Sequence, residues 1–244
     1  MFWRESGDAN VLYVHGVPDS SRIWAPFMER TGGLAVDLPG FGRSGKRGDF
    51  PYDIDGYAEF LGRFADLAGL ERVRLVCHDW GAVALAWAMR EPQRVERLVA
   101  IDVVPFLPGY RWHRVARMWR TPALGELAMG ATNRHALRIA SGMSSAWARQ
   151  AMTEFDPGTQ RAILRLYRSA HPDVLAAAGA EIECIGAPAL VLWGERDRFL
   201  PQRFGDMLAG RLPAATSEVV SGAGHWPWVD DPAVIDRVAT FLQG

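Results

Sequence analysis

The chain has 244 residues, 49% of them hydrophobic, enough to bury a large core and within the size of a single α/β domain. Its formal net charge of −1 gives no reason to expect nucleic acid or an acidic membrane surface as a partner. Cys77 and Cys184 both sit in apolar, strand-like runs and read as buried thiols rather than a disulfide framework. The N-terminal "MFWRESGDAN" is too polar and short for a signal peptide, and no apolar run is long enough to span a bilayer. A soluble, cytoplasmic protein is therefore expected.

Short apolar, β-branched runs alternate with helical patterns along the chain. "VLYVH" (11–15) and "GLAVDL" (33–38) read as strands. "DIDGYAEFLGRFADLAGL" (53–70) reads as a helix, with Tyr57, Phe60, Leu61, Phe64 and Leu67 recurring at helical spacing. "VRLVCH" (73–78) is a strand, "GAVALAWAMREP" (81–92) a helix and "RLVAIDVV" (97–104) a further strand. From Pro105 to Glu181 the alternation breaks. That stretch is rich in Arg, Ala, Trp and Met, with helical periodicity and no convincing strand, and is expected to form a helical lid inserted between two strands. "ALVLW" (189–193) and "TSEVVS" (216–221) resume the strands. "PAVIDRVATFL" (232–242) closes with a helix, with Asp231 as its expected N-cap. Near-continuous apolar strands separated by helices predict an α/β fold with a mostly parallel sheet covered on both faces. The expected organisation is a core of residues 1–104 and 182–244 with a helical cap of residues 105–181.

The chemistry gathers at "LVCHDWGA" (75–82), where a buried strand ends abruptly at Asp79 before a helix. Strand, sharp turn and helix make a nucleophile elbow, which needs small residues two before and two after the nucleophile. Cys77 and Gly81 fill those places. Asp79 taken alone serves equally well as a helix N-cap. Two further segments favour a nucleophile. "HGVPDS" (15–20) can aim the Val17 N–H beside the elbow, making an oxyanion hole with the Trp80 N–H. This turn also suggests a cis Val17–Pro18 bond. "GAGHWPW" (222–228) places His225 in a glycine-rich loop, and "WGERDRFLP" (193–201) places Asp197 where it can orient that imidazole. Asp102, in "AIDVVP", is the rival for the orienting acid. His15 and His78 read as structural. His113, His135 and His171 show no metal-ligand spacing, so no metal site is expected.

The motifs "HGVP", "DLPGFGRS", "HDWGA", "WGERD" and "GHW" resemble the α/β-hydrolases with an aspartate nucleophile, meaning epoxide hydrolases and haloalkane dehalogenases. The resemblance spans the chain apart from the lid. It implies the α/β-hydrolase fold, with no cofactor and a small apolar organic substrate. It also implies that the first strand of the usual fold is missing, with "MFWRES" left of the second.

An epoxide leaves as a basic alkoxide and needs a proton donor, whereas a halide needs only N–H donors. Tyr167, in "LYRS", matches a lid tyrosine of epoxide hydrolases, although it also fits simple packing with Ile163 and Leu166. Tyr110 is a second candidate for substrate contact. Trp80 follows the nucleophile in both groups and does not discriminate. Many dehalogenases carry an asparagine directly after HG, where Val17 stands here. Trp112, Trp119 and Trp147 are candidates for an apolar pocket but fit packing better. The resemblance therefore implies an epoxide hydrolase first, a haloalkane dehalogenase second, and a binding protein on a hydrolase fold third.

Overall fold

The computed structural model describes residues 1–7, 10–141 and 145–244. Among these residues seven strands form one sheet: β1 (Phe2–Ser6), β2 (Val11–Val14), β3 (Gly33–Asp37), β4 (Val73–Asp79), β5 (Val95–Val103), β6 (Ala189–Gly194) and β7 (Ala215–Val220). Their spatial order is β1-β3-β2-β4-β5-β6-β7. β1 pairs antiparallel with β3 and the other neighbours are parallel. This is the α/β-hydrolase fold expected from the sequence.

The period-2 pattern of the strands sorts their side chains between two cores. Leu12, Val14, Leu75, Cys77, Leu98, Ala100, Val191 and Trp193 enter one core. Val11, Tyr13, Val76, Val99, Ile101, Leu190 and Leu192 enter the other. α2 (Ile54–Leu67) and α3 (Val83–Arg90) cover the first face, and α1 (Ala25–Thr31) and α12 (Ala233–Gln243) cover the second. Each Leu or Val buried in this way contributes about 1.5–3 kcal/mol. The Asp53 side chain caps α2 by accepting from the Gly56 N–H at 2.8 Å.

Between β5 and β6 the described residues hold helices and turns and no strand. The helices are α4 (Arg114–Arg120), α5 (Leu124–Ala131), α6 (Arg134–Ser141), α7 (Ser145–Met152), α8 (Pro157–Ser169) and α9 (Pro172–Ala178). α10 (Arg203–Arg211) and the short α11 (Pro227–Asp230) lie between β6 and α12. None of the described helices is long and apolar enough to cross a membrane.

Three local readings are corrected. Cys184 is exposed, because the strand begins only at Ala189 and Cys184 lies in a preceding 3₁₀ turn. Leu67, the last residue of α2, is 71% exposed, having drifted off the apolar face. Pro232 takes the N-cap position of α12, with Asp231 one residue earlier still accepting from the Ala233 N–H at 3.1 Å.

Candidate active site

The chain steps from β3 across β2 to β4, so the sheet reverses direction of growth between β2 and β4. Ligands in open α/β sheets bind beyond the carboxyl ends of strands at such a point. Asp79 ends β4 there with φ +50°, a left-handed conformation that aspartate seldom adopts. The crowding that demands small neighbours is visible. A Cβ on Gly81 would lie 2.2 Å from the Val14 carbonyl oxygen, and a Cβ on Gly16 would lie 2.4 Å from Asp79 Cβ.

The Val17 N–H donates to Asp79 Oδ2 at 2.7 Å, and the Val17–Pro18 bond is cis. His225 Nε2 stands 3.5 Å from Asp79 Oδ1. His225 Nδ1 lies 2.7 Å from Asp197 Oδ2, while Asp197 Oδ1 accepts from the N–H groups of Phe199 and Leu200 at 2.7 and 3.0 Å. Loops after β2, β4, β6 and β7 thus bring Val17, Asp79, Asp197 and His225 together. Val17, Asp79 and His225 are buried and the Asp197 side chain is 1% exposed, so the charges act on one another in low dielectric. Burial opposes the charge on His225, but Asp197 and Asp79 together raise its pKa well above the ordinary imidazole value. Burial likewise opposes the Asp79 and Asp197 carboxylates, and the imidazole with the backbone N–H donors holds both below the usual range.

Asp102 is fully buried at φ +40° near the end of β5. Its Oδ1 accepts from the Gly194 N–H at 2.9 Å, and its Oδ2 has no partner among the described residues. Burial, then the charge of Asp197, push its carboxyl well above the normal range. His15 is locked by contacts to the Gly16 carbonyl at 2.8 Å and the Leu38 N–H at 3.0 Å. His78 Nε2 meets the His225 carbonyl at 2.7 Å, and burial pushes its pKa down to about 3. Both behave as the structural histidines expected.

A cavity of about 50 Å³ opens above Asp79, lined by Val17, Tyr167, His113, Phe199, His225 and Trp226 among others. Tyr167 edges onto Trp80 at 5.3 Å between centroids. Burial and the charge of Asp79 keep its phenol protonated, well above its ordinary pKa, and the Trp80 side chain works the other way. Even so, Trp80 Nε1 meets no partner at hydrogen-bond geometry. Tyr110 takes no part in this cavity wall. It packs on Trp112 and Phe204 with its hydroxyl buried and, among the described residues, unpartnered. Trp119 does line the cavity. Trp112 stacks on Trp80 and donates to the Ala170 carbonyl at 2.8 Å, and Trp147 lies near Trp228.

Sequence reading passed over His113 as a cavity residue. Its Nδ1 accepts from the Ala116 N–H at 3.3 Å as the cap of α4, and burial lowers its pKa to about 4. A histidine just before a helical run was the available signal. Phe199 and Trp226 were also missed, although Trp226 follows His225 directly and Phe199 stands two residues after Asp197.

A family model described as the alpha/beta hydrolase family matches residues 11–238. A haloalkane dehalogenase of Bradyrhizobium diazoefficiens is 26% identical, with 100% of this chain and 91% of the relative covered. Epoxide hydrolase 2 of Caenorhabditis elegans is 24% identical over 97% of this chain and 75% of its own length. The crystal structure of a haloalkane dehalogenase from Bradyrhizobium elkani superposes with a TM-score of 0.84, at 27% identity, over 99% of this chain and 93% of that one.

Proposed function

The chain belongs to the alpha/beta hydrolase family, and from that premise we propose that it opens epoxides to vicinal diols through an alkyl ester on Asp79. The observation that carries this reading is the pairing of a strained, N–H-anchored Asp79 with the protonated hydroxyl of Tyr167 on the wall of one cavity. Residues 105–181 then act as a cap, supplying Tyr167, His113 and Trp119 to that wall.

In the first step Asp79 Oδ1 attacks an epoxide carbon, the C–O bond breaks, and the electron pair goes to the ring oxygen. Tyr167 donates the proton that this alkoxide requires. In the second step His225 removes a proton from water, and the hydroxide attacks the Asp79 carbonyl carbon. The N–H groups of Val17 and Trp80 hold the developing oxyanion. Collapse releases the diol, which takes its proton from His225. The other water proton leaves the Asp79 carboxyl and restores the Tyr167 phenol. At rest His225 is an imidazolium; esterification removes one of the two anions flanking it, so it releases that proton to solvent before it acts as the base, and takes one back from solvent once the Asp79 carboxylate is restored. The same event removes the charge that holds the Tyr167 proton most tightly after burial itself.

A second reading, halide displacement from a haloalkane, is favoured by one observation. Trp80 Nε1–H is a buried donor with no partner among the described residues, beside the nucleophile, where a halide would be stabilised. Turnover of styrene oxide, 1-bromobutane and p-nitrophenyl acetate separates the readings. Styrene oxide alone supports the proposal, 1-bromobutane without styrene oxide transfers it to the second reading, and turnover of neither overturns both.

A further inference from the structure

Three acidic groups crowd around one imidazole. Asp79 and Asp197 contact His225 directly, and one side-chain atom from each of Asp102, Asp197 and His225 lies within 4.8 Å of the others. His78 faces His225 from the far side at 4.7 Å between centroids. It adds no charge at neutral pH, because burial pushes its pKa down to about 3. A single imidazolium does not offset three buried carboxylates in low dielectric, and like charges this close force one of them to keep its proton.

The hydrogen bonds identify which one. Asp197 is equipped as an anion, with two backbone N–H donors on one oxygen and the imidazole on the other. Asp102 is not. Among the described residues it has one N–H donor, from Gly194, and its Oδ2 is buried with no donor. A carboxylate oxygen left so is strongly disfavoured, whereas a protonated one becomes a donor with an acceptor beside it. The backbone at Asp102 is held at φ +40°, an unfavourable conformation for aspartate, and its carboxyl lies within 4.8 Å of that of Asp197.

We propose that Asp102 is a neutral carboxylic acid that donates its proton to Asp197 and so sets how strongly Asp197 attracts the imidazolium of His225. Asp102 is a positioning residue. It shares the negative charge of Asp197 and thereby keeps His225 from becoming too basic to release its proton. This rests on the reading of Asp79, His225 and Asp197 as the catalytic group. It explains why two acids at the two candidate positions coexist: one is the anion and the other its donor. The direction of the Asp102 shift agrees, because burial and then the Asp197 charge both favour its protonated form.

The test uses the resting protein and no substrate, so it fails separately from the proposed activity. The His225 imidazole is titrated by NMR in wild type, Asp102→Asn and Asp102→Gly. Glycine removes the donor and tolerates the positive φ, and asparagine keeps a neutral donor of the same shape. The His225 pKa is expected to rise by about one unit in Asp102→Gly and to return to near the wild-type value in Asp102→Asn. If Asp102 is an anion instead, both variants remove negative charge and the His225 pKa falls in both, which overturns the proposal. No shift in either variant reduces Asp102 to packing and overturns it equally. Should Asp102→Gly not fold, infrared difference spectroscopy of wild type against Asp102→Asn decides. A protonated carboxyl band at neutral pH that vanishes in the variant supports the proposal, and its absence refutes it.

Discussion

Gly16→Ala should damage catalysis far more than its size suggests. The added methyl would sit 2.4 Å from Asp79 Cβ and 2.5 Å from Oδ2, where ordinary contact begins at 3.4 Å. Something must therefore move by about 1 Å, and a misplacement of about 1 Å can cost roughly 10²-fold in rate. Asp79 is fixed by β4 on one side and by the Val17 N–H on the other, so relief comes at the expense of that 2.7 Å hydrogen bond. Losing one oxyanion donor typically costs about 10²–10³-fold. A fall in kcat/KM for styrene oxide of on the order of 10²-fold or more is expected, with overpacking lowering stability by about 1–3 kcal/mol. Gly210→Ala in α10 is the control, since a Cβ there meets nothing within 4 Å. It should leave turnover unchanged and not lower Tm. Full activity in Gly16→Ala would show that Asp79 needs neither its position nor its N–H anchor, and the elbow reasoning would fall.

Tyr167→Phe should slow epoxide opening by on the order of 10²-fold or more and affect halide displacement much less, because only the alkoxide takes a proton; equal small effects on styrene oxide and 1-bromobutane would return Tyr167 to packing. Asp197→Asn should lower kcat by on the order of 10³–10⁴-fold without unfolding the protein, since it releases the imidazole from its tautomer and orientation; circular dichroism and steady-state rates check this, and a milder loss than that in Asp102→Asn would reverse the acid assignment. Asp19 is buried against Trp226, whose Nε1 donates to it at 2.9 Å, and burial lifts its pKa to about 7. A carboxyl whose folded pKa is raised loses stability as pH climbs from its unfolded value near 4 to about 7, up to about 4 kcal/mol in total, and no further above that. Asp19→Asn should therefore raise Tm at pH 8 and change it little at pH 4, and a uniform shift at both pH values would reject the explanation.

The middle of the sheet was legible because β2, β4, β5 and β6 are buried on both faces, and continuous apolar runs such as "VRLVCH" leave little else to choose. The elbow was legible because sterics dictate residue types there, and Gly16, Gly81 and Asp79 make those contacts directly. The antiparallel sense of β1 was not, since five exposed or half-buried residues pair with β3 through backbone bonds that carry no side-chain signature. Nor was the division between Tyr167 and Tyr110. Both stand in aromatic, arginine-rich sequence, and only the packing of Tyr110 behind Trp112 separates them. Cys184 misled because the apolar run that contains it begins before the strand does. The relation of Asp102 to Asp197 was invisible as a pair, because 95 residues separate positions that β5 and β6 bring side by side.

The covalent ester on Asp79 is tested most directly by a single turnover in ¹⁸O-water with enzyme in excess over styrene oxide. Water attacks the Asp79 carbonyl carbon, so the label should enter the Asp79 carboxylate and the diol should take its new oxygen from the protein. With His225→Gln the second step should stop, leaving a peptide containing Asp79 heavier by the mass of one substrate. Label found directly in the diol, with no adduct in the variant, would mean that Asp79 acts as a general base or a helix cap and that no ester forms.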